Sequence, residues 1–159
     1  MDRIVEAWAK SDPSVDASPL EVVGRLLLCA AHLERAIAAA LQPLGLSFGD
    51  FDVLNTLRRH DDDLGTNPGD LAQSSLITSG AMTARLDRLE RAGLVRRAPD
   101  PNDRRAVRVH LSREGRRLAE RALRAVIAAD RAFLEPLSQR QQDTVASGLK
   151  QLLLRAEGG

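Results

Sequence analysis

Apolar positions recur at helical spacing through most of the chain and switch to alternation only once. Residues 2–10 put Ile4, Val5 and Trp8 on one side of a short helix. "SDPSVDASP" is a linker by composition. Ser18-Pro19 then predicts a helix start, with Ser18 as cap and Pro19 in the first turn. Leu20, Val23, Leu27, Ala30, Ala31, Ile37 and Leu41 keep the helical period to about residue 42. Leu26, Leu28 and Leu33 widen the apolar face beyond one stripe, so this helix needs more than one neighbour.

"PLGLS" breaks the pattern, and Ser47 caps a second core helix with Phe48, Phe51, Leu54 and Leu57 inside. "HDDDLGTNPGD" is a loop. Asn67-Pro68 opens a short helix, "PGDLAQSS"; "LITS" is a turn, and Thr78 caps a helix over residues 79–92 that Gly93 ends. Two helices joined by a tight turn form a helix-turn-helix pattern. Alternation follows in "LVRRAP" and "AVRVHLS", with Val107, Val109 and Leu111 on one face and Arg108 and His110 on the other. "DPNDRR" between them makes the pair a hairpin with a basic tip. Ser112 caps the next helix, and Pro136 and Ser138 restart a last one over 139–156.

The expected fold is mainly α with a small β-hairpin wing: a winged helix-turn-helix flanked by N- and C-terminal dimerisation helices. Residues 1–18 are an N-terminal helix and linker, 47–111 the DNA-binding module, and 19–46 with 112–159 the dimerisation helices. The terminal helices carry more apolar surface than so small a module covers, so a homodimer is the simplest solution.

Charge sharpens this picture. The net charge is only +1, but residues 85–124 hold thirteen arginines against six carboxylates. A local basic block in a near-neutral chain fits a nucleic-acid footprint, although a solvated face of paired charges gives the same count. On the helix over 79–92, Ser79, Gly80, Thr83 and Ala84 lie near the outward N-terminal end, where a recognition helix reads bases. Thr78 starts that helix and joins the DNA-facing set. Arg88 and Arg91 suit phosphates. Arg104 and Arg105 at the hairpin tip suit a minor groove, unless one of them pairs with Asp100 or Asp103.

Other chemistries find no support. Cys29 is the single cysteine, so no intramolecular disulfide forms, and His32, His60 and His110 lack metal-ligand spacing. No phosphate-binding loop, dinucleotide fingerprint or nucleophile elbow occurs, so no enzyme activity and no cofactor or metal is expected. No apolar run approaches the roughly 18 residues of a membrane span, and the N-terminus lacks a signal-peptide core; a cytoplasmic protein is expected.

One position resists the pattern. Arg85 falls in the inner seam of Met82, Leu86 and Leu89. A guanidinium stays charged in a protein, so it needs an anion there.

"SGAMTARLDRLERAGLVRRAPDPNDRRAVRVHLSREGRRL" resembles the MarR family of bacterial transcriptional regulators, with "DPNDRRAVRVHLSREG" similar to its wing signature. The resemblance implies a winged-helix homodimer on a palindromic operator, commonly released by a small ligand. It extends to the urate-responsive, PecS-like subgroup. That subgroup has a tryptophan in an extra N-terminal helix, an aspartate after an aromatic in the second core helix, and two arginines twelve apart. The matching positions are Trp8, Asp52 in "FDVL", Arg85 in "ARLDRL" and Arg97 in "VRR". The resemblance implies that these four bind urate or a related planar anion. Two guanidinium forks and one stacking ring suit such a ligand, and Asp52 is expected to pair with Arg85 in its absence. Structural readings stand beside this one: Asp52 as a helix N-terminal acid, Arg85 in a structural ion pair, Arg97 on DNA backbone, and Trp8 as a staple for its helix.

Two alternatives use the same module. One senses oxidation through Cys29, but "LLLCAAHL" puts that thiol in an apolar helix without an adjacent cation, and a core cysteine is expected. The other is an architectural or interaction module without operator choice.

Overall fold

The computed structural model describes residues 2–12, 14–60, 65–74, 82–103 and 106–158. The elements run α1 (Asp2–Ser11), α2 (Pro19–Leu41), a 3-10 turn (Gln42–Leu44), α3 (Phe48–Arg59), α4 (Pro68–Ser74), α5 (Met82–Arg91), β1 (Val95–Pro99), β2 (Val107–Leu111), α6 (Arg113–Leu134) and α7 (Gln139–Glu157). The fold is mainly helical with one antiparallel hairpin, as expected.

Local chemistry sets most boundaries. Ser47 accepts from the Asp50 amide (3.2 Å) while Asp50 accepts from the Ser47 amide (3.1 Å), a reciprocal cap on α3. The Ser112 hydroxyl accepts from the Gly115 amide at 2.9 Å and starts α6. Gly45 and Gly93 take φ of 68° and 70°, the left-handed region that ends a helix at low cost for glycine. Ser18 departs from expectation. Its φ and ψ (−57°, −36°) are already helical and its side chain makes no cap bond, so Pro19 alone marks the start of α2. The Ser18 amide instead donates to Asp16 Oδ1 at 3.0 Å. Thr78, expected to cap the recognition helix, lies outside the described residues.

β1 and β2 pair in the register Val95↔Leu111, Arg97↔Val109, Pro99↔Val107. Thr66 adds a short third rung, exchanging backbone bonds with Val109 at 3.0 and 2.9 Å. Through it the loop before α4 is tied to the base of the wing. Val109 is fully buried on the expected inner face, whereas Val107, nearer the tip, is exposed beyond the reach of the core. The core joins Leu41 of α2, Val53, Leu54 and Leu57 of α3, Leu71 of α4, Met82, Leu86 and Leu89 of α5, Val109, and Ala119, Ala122 and Val126 of α6. Burial of these side chains is the main stabilising contribution.

Outside that core the single chain leaves an apolar surface uncovered. Val22, Val23, Leu26, Leu27 and Leu28 of α2 are exposed, Leu27 to 66%. Leu152, Leu153 and Leu154 of α7 are exposed as well, and α7 buries none of its side chains. Cys29 is exposed too, contrary to the core cysteine expected, because the rest of the chain does not cover that stretch of α2.

Candidate nucleic-acid interface and ligand site

α5 carries two surfaces. Met82, Leu86 and Leu89 are buried, while Thr83, Ala84, Asp87, Arg88 and Arg91 are exposed on the other side. Of the residues expected to reach DNA, Thr83, Ala84, Arg88 and Arg91 therefore share one outward face. Thr78, Ser79, Gly80, Arg104 and Arg105 lie outside the described residues.

Arg85 turns inward as expected, with its side chain only 19% exposed. It lies against the first turn of α3. A Cβ on Gly49 would come within 2.4 Å of the guanidinium carbon, so glycine is what lets Arg85 lie there. The carboxylate beside it is Asp50, with Oδ1 3.7 Å from Arg85 Nε. This is two residues before Asp52, the partner expected from the sequence. Asp52 is buried on the same helix. At 3.7 Å the Asp50 contact is an ion pair without a hydrogen bond. Arg85 Nε and Nη1 are buried with no hydrogen-bond partner among the described residues. Buried guanidinium nitrogens left so are costly, and they mark a place where an anion is stabilised.

The reason Arg85 is left short is Arg88. Its Nη2 donates to the same Asp50 Oδ1. Asp50 Oδ2 meanwhile accepts from the Ser47 hydroxyl at 2.6 Å and the Ser47 amide at 3.1 Å. Burial pushes the Asp50 carboxyl up, but the Ser47 hydroxyl, Arg88 and the Ser47 amide outweigh it and hold it below the ordinary aspartate value. Asp50 is the residue that sequence reasoning missed. Its signal was the Ser47-x-x-Asp50 spacing, which reads as a helix cap and thereby hides a second role.

Arg97 sits at the base of the wing as expected, but carboxylates already hold it. Its amide donates to Glu90 Oε1 (2.9 Å), and its Nη1 lies 2.8 Å from Glu90 Oε2 and 2.6 Å from Asp87 Oδ1. The Asp87 hydrogen bond raises its proton affinity most; partial burial opposes this, and Glu90 adds to it. Trp8 stands on α1, 47% exposed, and α1 packs chiefly on α2. α1 is pinned to α2 by the Asp2–Arg25 ion pair.

At the wing, Asp100 pairs with Arg108. Arg108 also donates to the Gly65 carbonyl at 3.2 Å. The Asn102 amide and then Arg108 hold the Asp100 carboxyl below its usual value. Strand alternation gives no hint of this pair, because it places Arg108 only on the outward face.

A hairpin wing behind short helices, closed against α3 and α6, defines a winged helix-turn-helix DNA-binding protein. The MarR family pattern matches residues 44–106. The chain is 34% identical over 154 residues to the HTH-type transcriptional regulator PecS of Dickeya dadantii, spanning 97% of this chain and 90% of that one. Among solved structures, a cysteine-to-serine mutant of MarR from E. coli complexed with operator DNA matches with a TM-score of 0.75 at 28% identity, over 87% of this chain and 99% of that one. CouR from Rhodococcus jostii, bound to p-coumaroyl-CoA, matches with a TM-score of 0.65 at 30% identity, over 85% and 86%. This chain belongs to the MarR family of transcriptional regulators. Among the described residues no helix is long and apolar enough to cross a membrane.

Proposed function

We propose that the protein is a homodimeric cytoplasmic repressor that binds a palindromic operator and is released from it by urate or a related planar aromatic anion. Residues 47–111 form the DNA-binding module. Thr83 and Ala84 on the outward face of α5 meet the major groove together with Thr78, Ser79 and Gly80 of the chain before it, with Arg88 and Arg91 on phosphates. Arg104 and Arg105 enter the minor groove. Residues 19–46 and 112–159 pair with a second copy, which would cover the exposed leucines of α2 and α7.

One observation carries the ligand reading: Arg85, on the recognition helix itself, holds two buried nitrogens without a hydrogen-bond partner among the described residues. An anion bound to them competes with the carboxylates of α3, Asp52 included, and acts directly on the helix that reads DNA. Arg97 supplies the second fork once an anion displaces Asp87 or Glu90, and Trp8 supplies a face for stacking. The ligand works by population shift: it must bind the DNA-free form more tightly than the DNA-bound form.

The test is a gel shift on a palindromic duplex from the gene's own upstream region, titrated with urate to millimolar. Release of that DNA, blunted in Arg85→Ala, is expected. No release at any concentration sinks the urate reading, and equal binding to scrambled DNA sinks operator choice.

A second reading draws on the exposure of Cys29 in the single chain. Oxidation at that thiol would release DNA, and Cys29→Ser would abolish peroxide sensitivity. An unchanged response in that variant removes it.

A further inference from the structure

Two guanidinium groups from successive turns of the recognition helix converge on one carboxylate oxygen. Asp50 Oδ1 accepts from Arg88 Nη2 and lies 3.7 Å from Arg85 Nε. The competition is unequal. Arg88 makes the hydrogen bond, while Arg85 Nε and Nη1 are left without one. Burial is unequal too, and in the opposite sense. The Arg88 side chain is 53% exposed, that of Arg85 19%, and that of Asp50 6%. Asp50 cannot follow either arginine, because Ser47 holds its other oxygen and its place in the first turn of α3.

The arginine with a choice of partners is therefore Arg88. It points from α5 toward solvent, and a phosphate oxygen can replace Asp50 as its acceptor. Among the described residues, Arg85 Nε and Nη1 have no such alternative. When Arg88 leaves, Oδ1 is free for Arg85 Nε, and a buried unmet donor is satisfied.

We propose that Asp50 is a positioning residue shared between the outer and inner arginines of α5. In free protein it withholds Arg88 from DNA; on DNA, Arg88 moves to a phosphate and Arg85 closes on the fixed Asp50. This rests on the reading that α5 meets DNA backbone through Arg88. The exchange links the two faces of the helix. An anion on Arg85 removes its demand for Asp50 and leaves Arg88 tied, so anion and phosphate oppose each other at one carboxylate.

The experiment is a double-mutant cycle with Asp50→Asn and Arg88→Gln, read as Kd for a palindromic duplex that this protein selects from a random-sequence pool. Asparagine keeps an oxygen for the Ser47 amide and removes the charge. Asp50→Asn is expected to bind about threefold tighter, because Arg88 no longer breaks an ion pair to reach phosphate. Arg88→Gln is expected to cost more in the Asp50→Asn background than in the wild type. Equal costs in the two backgrounds, or weaker binding by a folded Asp50→Asn, overturn the proposal.

Salt dependence keeps the two readings apart. If Arg88 meets phosphate, Arg88→Gln lowers the slope of log K on log salt by about one for each phosphate left without its arginine in either protomer. An unchanged slope defeats the phosphate reading. A lowered slope with no coupling to Asp50 defeats the exchange alone. Should Asp50→Asn not fold, the wild-type protein carries the test through the Nε–H signals of its arginines, assigned with Arg85→Lys and Arg88→Gln. Hydrogen exchange at Arg85 Nε is expected to slow on adding DNA, and to slow without DNA in Arg88→Gln. No slowing in either case overturns the exchange.

Discussion

Glu90 on the recognition helix accepts from both the backbone amide and the guanidinium of Arg97 on the first wing strand, at 2.9 and 2.8 Å. Helix and wing are thereby braced together, with Asp87 adding a second carboxylate one turn away. Glu90→Gln keeps the amide bond and weakens the charged one. Both side chains reach solvent, so the loss is about 1 kcal/mol and the melting temperature falls by only a few degrees. Operator affinity should fall further than that loss accounts for, because the two reading elements lose their fixed angle. Thermal unfolding beside a DNA shift assay checks this; affinity that tracks stability alone refutes the brace.

The start of α6 is also tied to the chain just before β1 by a backbone crossing. The Ser112 amide donates to the Leu94 carbonyl at 3.0 Å, and a Cβ on Gly115 would lie 1.9 Å from that same oxygen. The obstacle is backbone and cannot rotate away. Gly115→Ala is expected to destabilise the fold by about 3 kcal/mol or more, read by urea unfolding. A loss under about 1 kcal/mol would mean that α6 and the wing shift apart freely.

Gly49 makes the contrasting case. Its Cβ would meet the guanidinium of Arg85, the far end of a flexible side chain. Gly49→Ala is therefore expected to fold with a loss of about 1 kcal/mol while pushing Arg85 out of its place. The urate response of operator binding should drop as in Arg85→Ala. A wild-type response in Gly49→Ala, with Arg85→Ala impaired, would show that Arg85 acts from another position.

These residues also mark how far the sequence alone was legible. Periodicity and turn chemistry found the seven described α-helices and the hairpin, but not the 3-10 turn Gln42–Leu44, which is too short to show a period. Arg85 stood out because a charge in an apolar seam is a local anomaly. Its carboxylate partner was less legible. Asp50 and Asp52 both lie near the start of α3, and which of them meets Arg85 depends on how α5 crosses it. Arg108 with Asp100, and Arg97 with Glu90, were hidden for the same reason: strand registers and crossings are not written in single-element patterns. Ser18 failed as a cap because a serine before a proline at a helix start carries the right signal whichever backbone angles it adopts.

Strong acid should loosen the contact between α3 and α5. Asp50 is held below the ordinary aspartate value of 3.8, so between its folded and unfolded values the unfolded chain binds more protons. Its contribution is complete above about pH 4 and is lost as pH falls through the lowered value. Asp100 acts in the same direction, whereas burial raises Asp130 and sets it against them. Urea unfolding between pH 6 and pH 2 should show a decline that flattens in Asp50→Asn. An identical decline in both proteins would place the acid-sensitive contact elsewhere.

One chain leaves two apolar faces bare. Leu27 of α2 and Leu153 of α7 are exposed on elements far apart in sequence, and α7 buries no side chain of its own. Exposed apolar surface on that scale is costly for a lone protomer and is relieved by a symmetric partner. Leu27→Asp and Leu153→Asp each place a charge on the surface proposed to pair. A buried unpaired carboxylate costs several kcal/mol, counted twice in a two-fold dimer. Both variants are expected to sediment as monomers or unfold at micromolar concentration, and to bind a palindromic duplex far more weakly than the wild type. Sedimentation equilibrium is decisive. A wild-type chain that is monomeric at tens of micromolar refutes the homodimer, and full dimerisation of both variants moves the interface away from α2 and α7.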